Sequence, residues 1–272
     1  MLGILKNRTL WFTELTGLND STEGDYIWEI LEECVKDNYD ERFNTAIRSL
    51  KNNFYEIDNE IKGEFEPRSY FICSFSENPD SLSLWNYYTK NVNSVGYNIG
   101  FDKQQLTALA KKWEGNFDVT LYKVLYDKGK QVEWMKNTLD LIYKYWKKYK
   151  TRKRLELLDY LQYLFARVRI GFKHPSFENE QEVRLVVELR GDQVLENLSI
   201  TPKQKEMKLR VVNNAFIPYL EIPFEDVNVV KRVTSSPIIK DERAIDSLYL
   251  LLYKYGYFDS CEVWSSDIPL KY

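Results

Sequence analysis

Apolar residues recur at steps of three and four in some segments of this chain and at alternate positions in others. That contrast divides it into helices and strands. The helical rhythm predicts a helix over 21–36, with Ile27, Ile30, Leu31 and Cys34 on one face and Asp20 and Glu23 as a capping box. A second is expected over 41–62, carrying Phe43, Ile47, Leu50, Phe54 and Ile57. Two long helices follow later. One has Val132, Met135, Leu139, Ile142, Trp146 and Tyr149 in a stripe, the other Leu155, Leu158, Leu161, Phe165 and Val168. Such stripes are read as core contacts. Shorter helices are predicted after Ser81, over 103–113 after Asp102, and over 241–255. Strands are expected at 9–12, 68–75, 95–101, 117–126, 183–189, 208–212, 216–222, 227–233 and 261–264. Gly96 and Gly100 fall in one of them, where a backbone can approach closely.

Helices and strands are mixed without strict βαβ alternation, which gives an α+β class. No linker, repeat or low-complexity tract divides residues 1–272, so a single domain is expected. Charge is spread unevenly within it. Residues 14–66 hold 15 acidic and 5 basic side chains, whereas 103–173 hold 17 basic and 7 acidic. The first excess marks 21–62 as an acidic helical insertion and the second marks 128–170 as a basic one. They are either two opposite faces or two layers that attract each other.

Composition narrows the chemistry. The 272 residues include one histidine and three cysteines, Cys34, Cys73 and Cys261, so neither a multi-histidine metal site nor a disulfide framework is expected. No metal is predicted. The longest apolar run, 248–253, is far short of the ~20 residues of a membrane span, and no leader pattern opens the chain. A cytoplasmic setting without a membrane partner is the expectation. No P-loop, GxGxxG, GxSxG or HExxH signature is present.

The densest chemical cluster is Glu178, Glu180, Glu182 and Arg184, alternating into the apolar run of 185–187. In an extended segment these side chains share a face. Crowded carboxylates raise one another's pKa unless a cation answers them, and Arg184 has the parity to do so. The bland alternative is a solvated acidic loop. Residues 144–154 hold 7 basic side chains among 11, interleaved with Tyr145, Trp146 and Tyr149. Lys147, Lys148, Arg152 and Lys153 there are the candidate nucleic-acid contacts of a binding module. The alternatives are a solvated helix end or a partner for the acidic helices. His174 reads as a surface loop residue and Cys73 as a small buried hydrophobe.

Several blocks, in order, resemble a bacterial domain-of-unknown-function family, the one called "twenty-nine seventy-one". Residues 4–12 with 18–23 resemble its "ILK…LWL…LNDPFE" opening, with Ser21 for the proline. Residues 73–77 with 84–88 resemble "CFSE…MWSHYA", with Tyr87 for the histidine. Residues 96–102 resemble "GVCIGFD", Lys173 through Arg184 resemble "K…W…EKEYR", and 266–270 resemble the family's end. The resemblance implies an ADP-ribosyltransferase-like fold, a split, mostly antiparallel β core with inserted helices that grips NAD. It implies Glu182 as the catalytic carboxylate with Glu180 beside it. Ser74, Ser76, Trp85 and Tyr88 would line the NAD pocket, and Arg184 would orient the carboxylates or bind phosphate. A macromolecule would be the acceptor. The family's opening aromatic–basic–aromatic strand has no counterpart ahead of Ile4. That departure implies an inactive variant or a shortened start.

Overall fold

Residues 68–76 read Arg-Ser-Tyr-Phe-Ile-Cys-Ser-Phe-Ser, rich in types that fill a pleated surface. They form β2 (Arg68–Ser76), which pairs on both edges, antiparallel to β1 (Thr9–Glu14) and to β5 (Glu182–Arg190). The computed structural model describes residues 1–18, 24–36, 38–53, 68–89, 96–113, 118–190, 207–212, 214–239 and 241–269. With β4 (Asp118–Lys123), β6 (Lys208–Val212) and β7 (Ala215–Pro223), these strands make a six-stranded antiparallel sheet in the order β4-β5-β2-β1-β7-β6. A second sheet holds β3 (Tyr97–Phe101), β8 (Val230–Ser235) and β9 (Glu262–Ser265) in the order β3-β8-β9, with β8 and β9 parallel. The chain is therefore α+β with a mostly antiparallel sheet.

Three apolar clusters hold these layers together. The first gathers Phe12, Phe71, Leu185, Val187, Leu220 and Val233 from both sheets, and it is closed by α8 (Glu242–Tyr255) through Leu248 and Leu252. Short α1 (Leu2–Asn7) adds Leu5, and α5 (Lys103–Trp113) adds Leu106 and Leu109. The second cluster lies mainly among helices, α2 (Tyr26–Val35), α3 (Glu41–Asn53), α6 (Lys128–Lys148) and α7 (Thr151–Val168), with Phe172 from the segment after α7. Trp28, Phe43, Met135, Leu139 and Phe165 fill it. A third, small cluster of Leu15, Tyr70, Ile72, Ile170 and Val186 joins the large sheet to the segment following α7.

The acidic and basic helices thus pack on one another, largely through apolar side chains. Glu33 and Lys128 pair across them at 2.9 Å, while Tyr39 and Tyr143 donate to Asp140 and Asp40. Exposed pairs of this kind contribute about 0–1 kcal/mol each, so burial of the stripe dominates.

Several expectations shift. Leu155 is exposed rather than buried. Two successive steps of three residues rotate it by about 120° from Leu161, off the packed face. The segment predicted as one strand over 227–233 begins as a 3-10 turn, Val227–Val229, because the Asp226 carboxylate accepts the Asn228 amide. The strand predicted to reach 126 ends at Lys123, and Leu125 then makes an isolated parallel bridge to Phe172. The capping box of Asp20 and Glu23, the end of the second helix (54–62), Val95 and Phe117 lie outside the described residues. No helix among the described residues is long and apolar enough to cross a membrane.

Candidate functional site

The β2–β5 ladder sets Ser74 opposite Arg184 and Ser76 opposite Glu182. Just before β5, a 3-10 turn (Pro175–Glu180) ends at Gln181, whose φ of 44° lies in the left-handed region. A non-glycine residue is held there at a penalty of roughly 1–2 kcal/mol. The reversal is fixed by Glu77 donating its amide to the Gln181 carbonyl at 2.9 Å and by the Ser76 hydroxyl donating to the Glu180 carbonyl at 2.7 Å. It places Glu180 and Glu182 on the wall of one cavity.

That cavity has a volume of about 910 Å³ and lies between β2 and β5 of the large sheet and β3 and β8 of the small one, with α4 (Leu82–Tyr88) along it. Ser74, Ser76, Trp85, Tyr88, Glu180 and Glu182 all line it. Trp85 is buried, and its indole donates to Asp80 at 2.6 Å. Tyr88 is exposed. The Ser81 hydroxyl accepts the Leu84 amide and starts α4, which fixes where Trp85 and Tyr88 emerge.

Arg184 sits elsewhere. It is fully buried and does not line the cavity. One guanidinium nitrogen donates to Glu182 Oε2 at 2.7 Å and another to the Ile170 carbonyl at 2.7 Å. Of the two roles expected for it, the geometry has it orient Glu182 from behind. Its guanidinium is held on Glu182 and the Ile170 carbonyl, off the cavity lining.

Lys173 completes the cluster. Its ammonium lies 2.7 Å from Glu180 Oε2 and 3.3 Å from Glu182 Oε2, with the Phe177 ring 4.9 Å away. Burial pushes the Glu182 carboxyl up. Arg184, Lys173 and a hydrogen bond from Ser74 outweigh it and leave its pKa below the usual carboxylate value. Glu182 is therefore an anion at neutral pH. Both cations reach the same oxygen. The Glu182 amide donates to the Tyr126 hydroxyl at 3.1 Å, and burial pushes that phenol up to about 12.

On the opposite wall, Lys103, Lys231 and Arg232 bring positive charge, and Glu77 pairs with Lys103 at 2.7 Å and Lys123 at 2.6 Å. Those two lysines hold the Glu77 carboxyl down at about 2. Desolvation pushes the Cys73 thiol, also on the wall, up to about 12, so it is not a thiolate nucleophile at neutral pH.

The sequence reading gave no role to Lys173, Tyr126, Asp80, Lys231 or Arg232. Lys173 opens the block that resembles the family motif, which was a usable signal. The others are brought in only by tertiary pairing. The proposed nucleic-acid residues lie on a different surface, at the end of α6 and start of α7. Lys147 covers the Tyr143 ring at 4.4 Å, Lys153 covers Tyr149 at 5.0 Å, and Arg152 reaches Glu156 at 3.7 Å. Lys148 is exposed beside them. His174 caps the 3-10 turn, with Nδ1 accepting the Ser176 amide.

Residues 84–185 match the model of a family described as "Protein of unknown function (DUF2971)". The matched span runs from α4 into β5 and includes Trp85, Tyr88, Lys173, Glu180, Glu182 and Arg184. No curated protein and no solved structure matches the chain.

Proposed function

We propose that the cavity binds NAD and that the protein is an ADP-ribosyltransferase-like enzyme acting on a macromolecular acceptor. The observation that carries this reading is Glu182: a carboxylate kept ionised by two buried cations, on the wall of a cleft that also presents Ser74, Ser76, Trp85 and Tyr88. The fit to NAD is supported by size, by a carboxylate–hydroxyl wall facing a cationic one, and by aromatic faces between them. When bound, NAD supplies a nicotinamide–ribose bond whose rupture builds positive charge on the ribose.

The chain's own groups are suited to that charge. Glu182 accepts a ribose hydroxyl and stabilises cationic character nearby. Arg184 and Lys173 keep it deprotonated and fixed in direction, so little reorganisation is needed during reaction. Glu180, tied by Lys173 but more open than Glu182, is placed to receive a proton from an acceptor. Trp85, anchored by Asp80, offers an aromatic wall for the nicotinamide.

The test is incubation of the purified protein with labelled NAD and a cell lysate. Nicotinamide release and label transferred to macromolecules are the expected results. Absence of NAD binding, release and transfer would overturn the reading, whereas NAD binding without release would identify an inactive scaffold.

A further inference from the structure

The cavity carries charge on a second wall, opposite Glu180 and Glu182. Arg232 and Lys231 come from β8, in the small sheet, and both line the cavity. Arg232 is paired in register with Gly100 of β3. A Cβ at position 100 would lie 3.1 Å from the Arg232 Cβ, so glycine there keeps room for the arginine stem. The guanidinium stacks over the Trp264 ring at 3.8 Å. Its acidic neighbour Glu262 is 3.9 Å away and largely exposed, and its carboxylate accepts the Trp264 indole at 2.9 Å. A contact of that length at the surface adds at most a small stabilisation, so the guanidinium fork is held in place by the ring with donors left for an anion. Lys231 is exposed and makes no ion pair among the described residues. Lys103 enters from α5, already tied to Glu77.

We infer that Arg232 and Lys231 form the diphosphate-binding subsite of this cavity, so that its ligand is a diphosphate-bearing nucleotide lying with its phosphates along β8 and its reacting ribose toward Glu182. This rests on the proposed NAD reading and specifies how the ligand lies. A fixed, stacked arginine offers bidentate hydrogen bonding to one phosphate, and a free lysine supplies a point charge for the next. The opposite wall cannot take that role. The two cations behind its carboxylates, Lys173 and Arg184, are buried, bound to those carboxylates and off the cavity lining.

The test is calorimetric titration of the full chain with ADP-ribose and, separately, with inorganic pyrophosphate, for wild type, Arg232→Gln, Lys231→Gln and Lys231→Glu. Each neutralisation is expected to weaken both ligands about tenfold, the loss of one charge-assisted phosphate contact, and Lys231→Glu more so. Lys231 is exposed, so its variants keep the test valid if Arg232→Gln folds poorly. Wild-type binding of ADP-ribose that none of the folded variants weakens would overturn the subsite while leaving the NAD reading intact. Pyrophosphate binding that depends on these residues, with no binding of ADP-ribose or NAD, would retain the subsite and remove that reading. A wild type that binds neither pyrophosphate nor ADP-ribose would overturn the subsite.

Discussion

Replacing Glu182 with glutamine keeps the shape of the side chain and removes its charge, leaving two buried cations facing a neutral amide. Arg184 is fully buried, and the Lys173 side chain is 8 % exposed. Breaking a buried pair in this way costs about 3–5 kcal/mol. The low end applies, about 3 kcal/mol, since Arg184 keeps its bond to the Ile170 carbonyl and Lys173 keeps Glu180. Glu180→Gln is the internal control. Glu180 is more exposed, and its loss leaves Lys173 with Glu182, so about 1 kcal/mol is expected. Urea unfolding of the three proteins at neutral pH measures both, with the m-value unchanged if only the folded state is affected. The pKa of Glu182 is lowered on folding, so its contribution is complete above the ordinary value of 4.5 and is lost as pH falls through the lower folded value. The gap between wild type and Glu182→Gln should therefore close only in acid below that range. Equal stability of the two variants at pH 7, within about 0.5 kcal/mol, or a gap that closes near neutrality, would refute the buried-triad account.

Other consequences are as specific. Arg184→Met removes the largest of the groups that hold the Glu182 pKa down, leaving Lys173 and Ser74, so that pKa should rise and the acid limb of any pH–rate profile should move to higher pH. Gln181→Gly should be neutral or stabilising by up to about 1 kcal/mol, whereas Gln181→Val should destabilise by more than that, read by thermal unfolding. Asp80→Ala removes the acceptor of the Trp85 indole, the Ser266 hydroxyl and the Asp267 amide, and should cost about 1–3 kcal/mol and alter Trp85 fluorescence. Joint replacement of Lys147, Lys148, Arg152 and Lys153 by glutamine should leave NAD affinity unchanged. Salt-sensitive nucleic-acid binding abolished by that replacement would instead support a binding module.

Local rules were enough for part of this site. The alternation of Glu182 and Arg184 made them neighbours on one face, and they meet at 2.7 Å. Ser81, read as the cap of a short helix, marked the start of α4, where its hydroxyl accepts the Leu84 amide. What alternation could not reveal was that Arg184 binds the Ile170 carbonyl and stays off the cavity wall. That depends on how the segment after α7 crosses the sheet. Lys173 is nine residues from Glu182 in the chain and reaches it only because the 3-10 turn and the left-handed Gln181 fold back. The cationic wall was equally hidden, since β3 and β8 are separated by more than a hundred residues and paired only in the folded chain. Among the described residues the helical stripes were legible except at Tyr149, which falls just past the end of α6, and at Leu155, where repeated steps of three drift off the packed face.

Direct titration of NAD into wild type and Glu182→Gln, followed by single-turnover measurement of nicotinamide release, tests the central claim. The account predicts that both proteins bind NAD and that Glu182→Gln releases nicotinamide about a hundredfold more slowly or worse. A wild type that does not bind NAD, or a Glu182→Gln variant that keeps the full rate, would contradict it.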